Sequence, residues 1–326
     1  MRTEASQLLR KGAVALQQKN WYCGVIRLSG PDRLTWLQGM VSNDVEKLRP
    51  GQGTYAAHLN AQGKLIGQMA VLVGDEEVWL ALESSNVGKV LGSLEPMIVM
   101  EDVISEDYSA RTRAIEIIGS DATGVLEKWL GESLHLERIY DHRTTSKCRR
   151  IFHDELGYTL WLDEDKAGTA IKEIEAAGAK VIDETEWNAI RIEAGLPIYG
   201  TDIDETTSLP ELGERGISYD KGCYIGQEVV ARIKYIGHVN RRFMGFICQD
   251  TRPIAPRSVV RNAGKDAGMI TSSVQSARMD KTIALGFVSR AAAVAGTNVE
   301  VDSAGEKVNA VVTELPFIAN DSKSAV

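Results

Sequence analysis

Cysteine is scarce in this chain of 326 residues. Its four copies, Cys23, Cys148, Cys223 and Cys248, lie at least 25 positions apart, with no C-x-x-C and no H-x3-H pattern. That excludes a local zinc or cluster motif and points to a reducing compartment, leaving open only a site gathered from distant ligands. Basic stripes are missing too. The formal net charge is −8 and the pI near 5.3, which argues against duplex nucleic acid as a partner and leaves room for a small anion in a local basic pocket. No stretch approaches eighteen apolar residues, and the opening MRTEASQLLRKGAVALQQKN carries scattered charges. It reads as neither a secretory signal nor a membrane span, so a cytoplasmic protein is expected. A nucleotide loop is also wanting. GQGTYA (51–56) has G-x-G-x-x-A spacing, but Pro50 precedes it and strand-like residues follow, which is the wrong setting. The five histidines share no spacing.

What is present reads as an ordinary globular chain. Hydrophobic residues make up 44% and the length exceeds one usual domain, so two or three units with sizeable cores are expected. Two segments, IRLSGPDRLTWL (26–37) and IEIIGSDATGVL (115–126), each read as a strand, a Gly-x-Asp turn and a helix. Asp32 and Asp121 stand where a side chain accepts from free helix amides. A second pair, VWLALESSNVGKVLGSL (78–94) and YTLWLDEDKAGTAIKEI (158–174), each reads as an alternating strand, a polar cap cluster and a helix. The alternation of the two kinds predicts duplicated α+β halves. TYAAHLNAQGKLIGQMAVLV (54–73) adds a hairpin turning at Asn60–Gly63. ETEWNAIRIE (184–193) is an amphipathic helix, and YIGQEVVARIKYI (224–236) predicts another. After Arg242, short strands separated by Asn-Ala-Gly, Ser-Ala-Gly and Pro signals predict a small β-barrel or sandwich. The expected division is therefore 1–242, a β-barrel over 243–318, and a frayed tail over 319–326.

The octet KGCYIGQE (221–228) concentrates the candidate chemistry. Cys223 sits beside a predicted helix start, two residues after Lys221; a helix N-terminus and an ammonium both favour a thiolate. Gly222 and Gly226 permit a tight turn and close approach. The plain alternative is a small cysteine tucked into a helix–loop junction. In WNAIRIEAGLPIYGTDIDE (187–205), Trp187 offers a stacking surface and Glu193 a carboxylate able to take two parallel N–H bonds from a planar heterocycle; Arg191 lies between them. Core Trp and solvent Glu on an amphipathic helix is the alternative. Arg232, Lys234, His238, Arg241 and Arg242 form either a solvated basic face or an anchor for an anionic tail.

KGCYIGQE followed by VVAR resembles the signature of YgfZ-type folate-binding proteins, the iron–sulfur maturation branch of the glycine-cleavage T-protein superfamily. LQGMVSNDV (37–45), LNAQGK (59–64), RIEAGLPIYGTDI (191–203), GISYDKGCYIGQEVVAR (216–232) and LPF (315–317) extend the resemblance along nearly the whole chain. It implies a cloverleaf of two α+β lobes plus a C-terminal barrel, with tetrahydrofolate or a derivative in the central hollow and no flavin or nicotinamide. It implies Cys223 and Lys221 as a functional thiol motif. Trp187, Glu193, Arg191, Tyr224, Gln227, Glu228 and Arg232 are the implied folate-side residues, and no resident metal is implied. The implied partners are folate and iron–sulfur assembly proteins or cluster-dependent client enzymes. A persulfide, a disulfide partner, a cluster ligand and a structural role for Cys223 all stay open. In one respect the chain departs from the superfamily's aminomethyltransferases. Their acidic pair after the hairpin aligns with Gly67 and Gln68, with no local ionisable replacement in sight, so the maturation role is favoured and a one-carbon transferase is the alternative.

Overall fold

The structure is a computed structural model, and it describes residues 9–249 and 251–318. Two antiparallel-rich sheets stand face to face, each backed by its own helices. The first sheet orders its strands 53–59, 65–73, 77–82, 24–29 and 104–107. The second orders 179–181, 13–17, 113–118, 157–162, 150–153 and 142–143. Its single parallel pair joins 13–17 to 179–181. The first strand among the described residues thus belongs to the second lobe.

Strand periodicity explains the layering. Ile26, Leu28, Val71, Val73, Leu80 and Leu82 face the helices Arg33–Met40 and Val87–Leu94. Their alternate neighbours Val25, Ala70, Leu72, Trp79 and Ala81 face the other sheet. In the second lobe Ala13, Ala15, Ile115 and Ile117 face the helices Ala122–Leu130 and Glu164–Ala177. Val14, Leu16 and Ala114 meet the first lobe across an aromatic core of Trp21, Tyr22, Trp79, Phe152, Trp161 and Trp187. Both faces of each sheet are buried, so the strands read as near-continuous apolar runs.

The predicted duplication is visible element by element. Strand 24–29 and its helix, then strand 77–82 and its helix, correspond to strand 113–118 and its helix, then strand 157–162 and its helix. In each lobe the two strands pair antiparallel. The hairpin at Asn60–Gly63 joins strands 53–59 and 65–73 as expected. Asp32 and Asp121 do not cap: neither side chain accepts from its helix. Asp32 Oδ2 instead takes the amide of Asp102 at 2.8 Å, fixing the loop into strand 104–107. The helix Glu184–Glu193 does have a full capping box, with Asp183 accepting from the Glu186 amide at 2.9 Å.

Strands 241–248, 281–289, 265–276, 259–262, 298–303 and 306–313 close into a six-stranded antiparallel barrel. The barrel begins with Arg241, two residues ahead of the expected boundary at 243; the expected tail, 319–326, lies outside the described residues. Its outer residues Phe243, Ile283, Leu285 and Phe287 pack on Leu59, Leu65, Ile192, Tyr199 and Tyr224, joining the barrel to the first lobe.

One buried ion pair pins this junction. Arg191 Nη1 meets Asp202 Oδ2 at 2.6 Å, with the side chains 3% and 0% exposed. Asp202 Oδ1 takes hydroxyls from Thr271 and Ser272 of the barrel, both at 2.6 Å. Arg191 also donates to Asn188, Leu196 O and Ser272. Asp202→Ala is expected to destabilise the chain by about 3–5 kcal/mol, because it strands a buried guanidinium. A lower urea midpoint with an unchanged slope would show this.

Candidate functional site

A cavity of about 600 Å³ opens where the two lobes and the barrel meet. Tyr55 comes from the first lobe, Tyr140 and Glu155 from the second, and Phe243 and Arg242 from the barrel. Ala194–Pro197 and Leu209–Gly216 contribute loop walls, and the C-terminal Leu315–Pro316 closes one side. The size lies within the range of small-molecule sites, and the aromatic and apolar lining carries a few convergent charges.

Those charges form one network. Glu155 accepts from Tyr22 Oη at 3.0 Å and from Tyr140 Oη, and pairs with Arg215. Arg215 donates to Tyr140 Oη at 2.7 Å, and its guanidinium lies 4.0 Å from the Tyr55 ring centroid. Its side chain lines the cavity and keeps 41% of its exposure. Tyr22 and Tyr140 adopt φ of 50° and 72°, a left-handed conformation that bulky residues avoid. Such strain persists where the surroundings hold a side chain to one task. Arg242, loosely placed against Glu314 at 3.4 Å, adds a second guanidinium to the wall.

Behind Tyr55 lies a polar group that the sequence reading missed. Gln68 Oε1 accepts from Tyr55 Oη at 2.5 Å; its Nε2 donates to Glu83 Oε1 at 2.9 Å and to Pro197 O at 3.0 Å. Glu83 is 1% exposed and also accepts from the Tyr199 amide at 3.1 Å. Its Oε2 is buried without a hydrogen-bond partner. Burial raises its pKa, against the pull of those hydrogen bonds. No ionisable residue near Gln68 in sequence replaces the acidic pair, but Glu83, fifteen positions on, reaches it in space. A carboxyl stands two hydrogen bonds behind the wall residue Tyr55, through Gln68, supplied from just past the neighbouring strand's end. In ALESSN it looks like part of a helix cap cluster, and only strand pairing brings it against Gln68.

The octet is placed differently from its prediction. The helix begins at Gln227, not 224, with Gly226 before it, and Cys223 lies in the preceding loop, exposed to solvent. Lys221 does not face the thiol. Its Nζ donates to the carbonyls of Gln38, Val41 and Asn43 at 2.6, 2.7 and 2.8 Å, satisfying the end of the Arg33–Met40 helix. Burial lowers the pKa of this ammonium to about 8, with Asp44 and Glu46 opposing. The Ile225 amide donates to Gly39 O at 3.2 Å, so KGCY is latched onto LQGMVSND. Gly226 takes φ +84° and packs on the hairpin; a Cβ there would meet Asn60 O at 2.7 Å. Nothing lies within 4 Å of a Cβ at Gly222, so the close-approach expectation holds for Gly226 alone.

The other predicted residues separate. Tyr224 is buried between barrel and lobe, while Glu228 and Arg232 are exposed and Gln227 is half-buried; none lines the cavity. Of the basic run, Arg242 alone reaches the cavity wall. Arg191 is fully engaged by protein partners, so its placement on the ligand side is corrected. Trp187 is in the interlobe core, with Nε1 donating to Glu116 Oε2 at 2.5 Å rather than facing the cavity. Glu193 Oε1 accepts from Ser276 Oγ at 2.5 Å, Arg278 stands 3.8 Å away, and Oε2 has no hydrogen bond. Burial raises its pKa. Its backbone oxygen accepts from Phe317 at 3.1 Å, which seats the LPF segment beside the cavity.

The matches to family models cover this architecture. The GCVT N-terminal domain matches residues 10–217, and the glycine cleavage T-protein C-terminal barrel domain matches 241–318. The chain belongs to the glycine-cleavage T-protein family. An aminomethyltransferase of Nostoc sp. is 26% identical over 93% of this chain and 84% of its own length. One from Geobacillus thermodenitrificans is 29% identical over 91% and 85%. A putative chloroplastic transferase of Arabidopsis thaliana is 25% identical over 97% and 74%. The crystal structure of aminomethyltransferase T from Bartonella henselae superposes with a TM-score of 0.87 at 20% identity, covering 97% and 89% of the two chains. That last likeness shows that the T-protein fold is shared.

Separating structure from chemistry within the octet is direct. Lys221→Met is expected to cost about 2–4 kcal/mol, since three carbonyls lose their donor. Cys223→Ser, at an exposed loop position, is expected to change stability by no more than about 0.5 kcal/mol, as surface changes do, and so to leave the melting temperature nearly unchanged. Thermal melts of the two variants side by side check both.

Proposed function

We propose that the central cavity binds tetrahydrofolate or a derivative, and that the chain transfers a one-carbon unit on it, as the aminomethyltransferases of its family are named for doing. The observation that carries this reading is the Gln68–Glu83 pair behind Tyr55. The lack of an acid was the main objection to a transferase, and Glu83 answers it. The lining fits the ligand class. Tyr55, Tyr140 and Phe243 offer ring surfaces for planar groups, and Arg215 and Arg242 offer guanidiniums for carboxylates. Tetrahydrofolate, when bound, supplies the nitrogens that carry the one-carbon unit. The protein's part is to hold those groups and exclude water, with Glu83 and Gln68 fixing Tyr55 in the wall. Tyr55, fixed by Gln68, joins that carboxyl to the wall.

A second reading rests on the cysteine. Burial pushes the Cys23 thiol up to about 12 and Cys148 to about 11, and Cys248 is buried, whereas Cys223 is exposed. A folate-binding accessory factor for iron–sulfur assembly would use that thiol. Among the described residues no three His, Cys, Asp or Glu side chains are grouped to hold a metal. A cluster on Cys223 would thus draw its other ligands from outside this chain.

Glu83→Gln separates the readings. In Glu83→Gln, transfer of a one-carbon unit to tetrahydrofolate is expected to fall by up to about a hundredfold, the cost of misplacing groups that position a substrate, while Cys223→Ser retains it. The reverse pattern, with cluster-enzyme activity in cells depending on Cys223 alone, would replace the transferase by the accessory factor. Stability provides a second check. A raised carboxyl pKa means that the folded chain holds the proton more tightly than the unfolded one. The stabilising share of Glu83 is then complete at acid pH and is lost as pH rises through the raised value. Melting temperatures across pH should therefore fall less steeply towards alkaline pH in Glu83→Gln than in the parent.

A further inference from the structure

A second cavity, of about 380 Å³, lies on the seam between the two lobes and shares no lining residue with the first. Arg27, Trp79 and Tyr108 come to it from the first lobe, and Arg149, Arg150 and Trp161 from the second. Two of the three guanidiniums have carboxylates. Arg27 meets Glu77 at 2.5 Å and Glu106 at 3.4 Å, and Arg149 is paired with Asp163. Arg150 has none within salt-bridge distance among the described residues. Its Nη1 donates to His142 Nδ1 at 2.5 Å, and its guanidinium stands 5.3 Å from the centroid of the Trp79 ring. Arg27 stands 5.9 Å from that same ring.

The leftover polar groups point one way. Trp79 is 9% exposed, and its buried Nε1–H has no acceptor. Arg27 Nε is likewise buried without one. Indole and guanidinium nitrogens only donate, so the partner they lack is an acceptor. Burial pulls the Arg150 pKa down to about 10, with the nearby Glu77 carboxylate, which also lines the cavity, opposing. Trp79, Tyr108 and Trp161 supply the remaining wall, which suits a flat ring.

We propose that this seam cavity binds a small oxyanion, phosphate or carboxylate, carried on a planar aromatic ring. Arg150 and Trp79 Nε1 hold the oxyanion, and the ring occupies the aromatic wall. Because the walls come from both lobes, occupancy also clamps one lobe to the other and raises thermal stability.

The full chain is titrated with phenyl phosphate, benzoate, inorganic phosphate and phenol, following tryptophan fluorescence and melting temperature. Phenyl phosphate or benzoate is expected to saturate and raise the melting temperature, with the tighter of the two identifying the oxyanion. Inorganic phosphate and phenol, each lacking one half of the ligand, are expected to bind more weakly. Arg150→Gln should weaken the aryl oxyanion at least about tenfold, as loss of a charge-assisted pair does, and Trp79→Phe should weaken it and diminish the signal. Arg150→Lys, which keeps the charge and removes the fork, serves if the Gln variant does not fold, and it too should bind more weakly. No saturation with either aryl oxyanion up to millimolar levels overturns the proposal. So does unchanged binding in a folded Arg150 variant, or inorganic phosphate binding as tightly as phenyl phosphate.

Discussion

The Arg191–Asp202 pair is the constraint on which the rest of the structure depends. A guanidinium and a carboxylate this deeply buried are costly to desolvate, and each is tolerable only with the other and a complete set of hydrogen bonds. Here the set is drawn from a lobe helix, a loop and a barrel strand at once. Asp202 takes hydroxyls from the barrel, the Ile198 amide at 3.0 Å and Arg191. Folding the loop therefore requires the barrel to be docked. The same loop carries Leu196 and Pro197 into the cavity wall.

Function follows from what the docking leaves facing inward. Pro197 O, positioned by that loop, accepts from Gln68, and Gln68 in turn holds both Tyr55 and Glu83. The carboxyl is thus delivered to the site by a neutral amide instead of sitting on its own strand at the wall. Two hydrogen bonds separate the carboxyl from the wall residue Tyr55, and burial keeps the acid protonated over more of the pH range. Beside Tyr55, Glu155 is shared by two strained tyrosines and Arg215, which holds the Arg215 guanidinium against the Tyr55 ring at the cavity wall.

Much of the frame was legible because strand and helix periodicity and turn signals are local, although the caps read at Asp32 and Asp121 do not form. The duplicated strand–helix units, the hairpin at Asn60–Gly63, the Glu184–Glu193 helix and the barrel all follow from short-range patterns. The site was less so, for reasons that particular residues show. Arg191 and Trp187 have the chemistry of ligand residues, yet long-range partners, Asp202 and Glu116, take their donors. Lys221 looked like the activator of Cys223 from two positions away, but three carbonyls from a helix in the first lobe claim it. Gly226 shows why the octet is rigid, since only a residue without Cβ can lie against the hairpin there. Glu83, Tyr140, Glu155 and Arg215 carry no periodic or motif signal of their own, and their convergence is visible only once the sheets face each other.

The most direct test of the central claim is a crystal structure of the chain grown with saturating tetrahydrofolate. One ligand is expected in the cavity bounded by Tyr55, Tyr140, Arg215 and Phe243, with Gln68 and Glu83 still hydrogen-bonded behind Tyr55. Ligand bound elsewhere, or a cavity that stays empty at saturation, would contradict it.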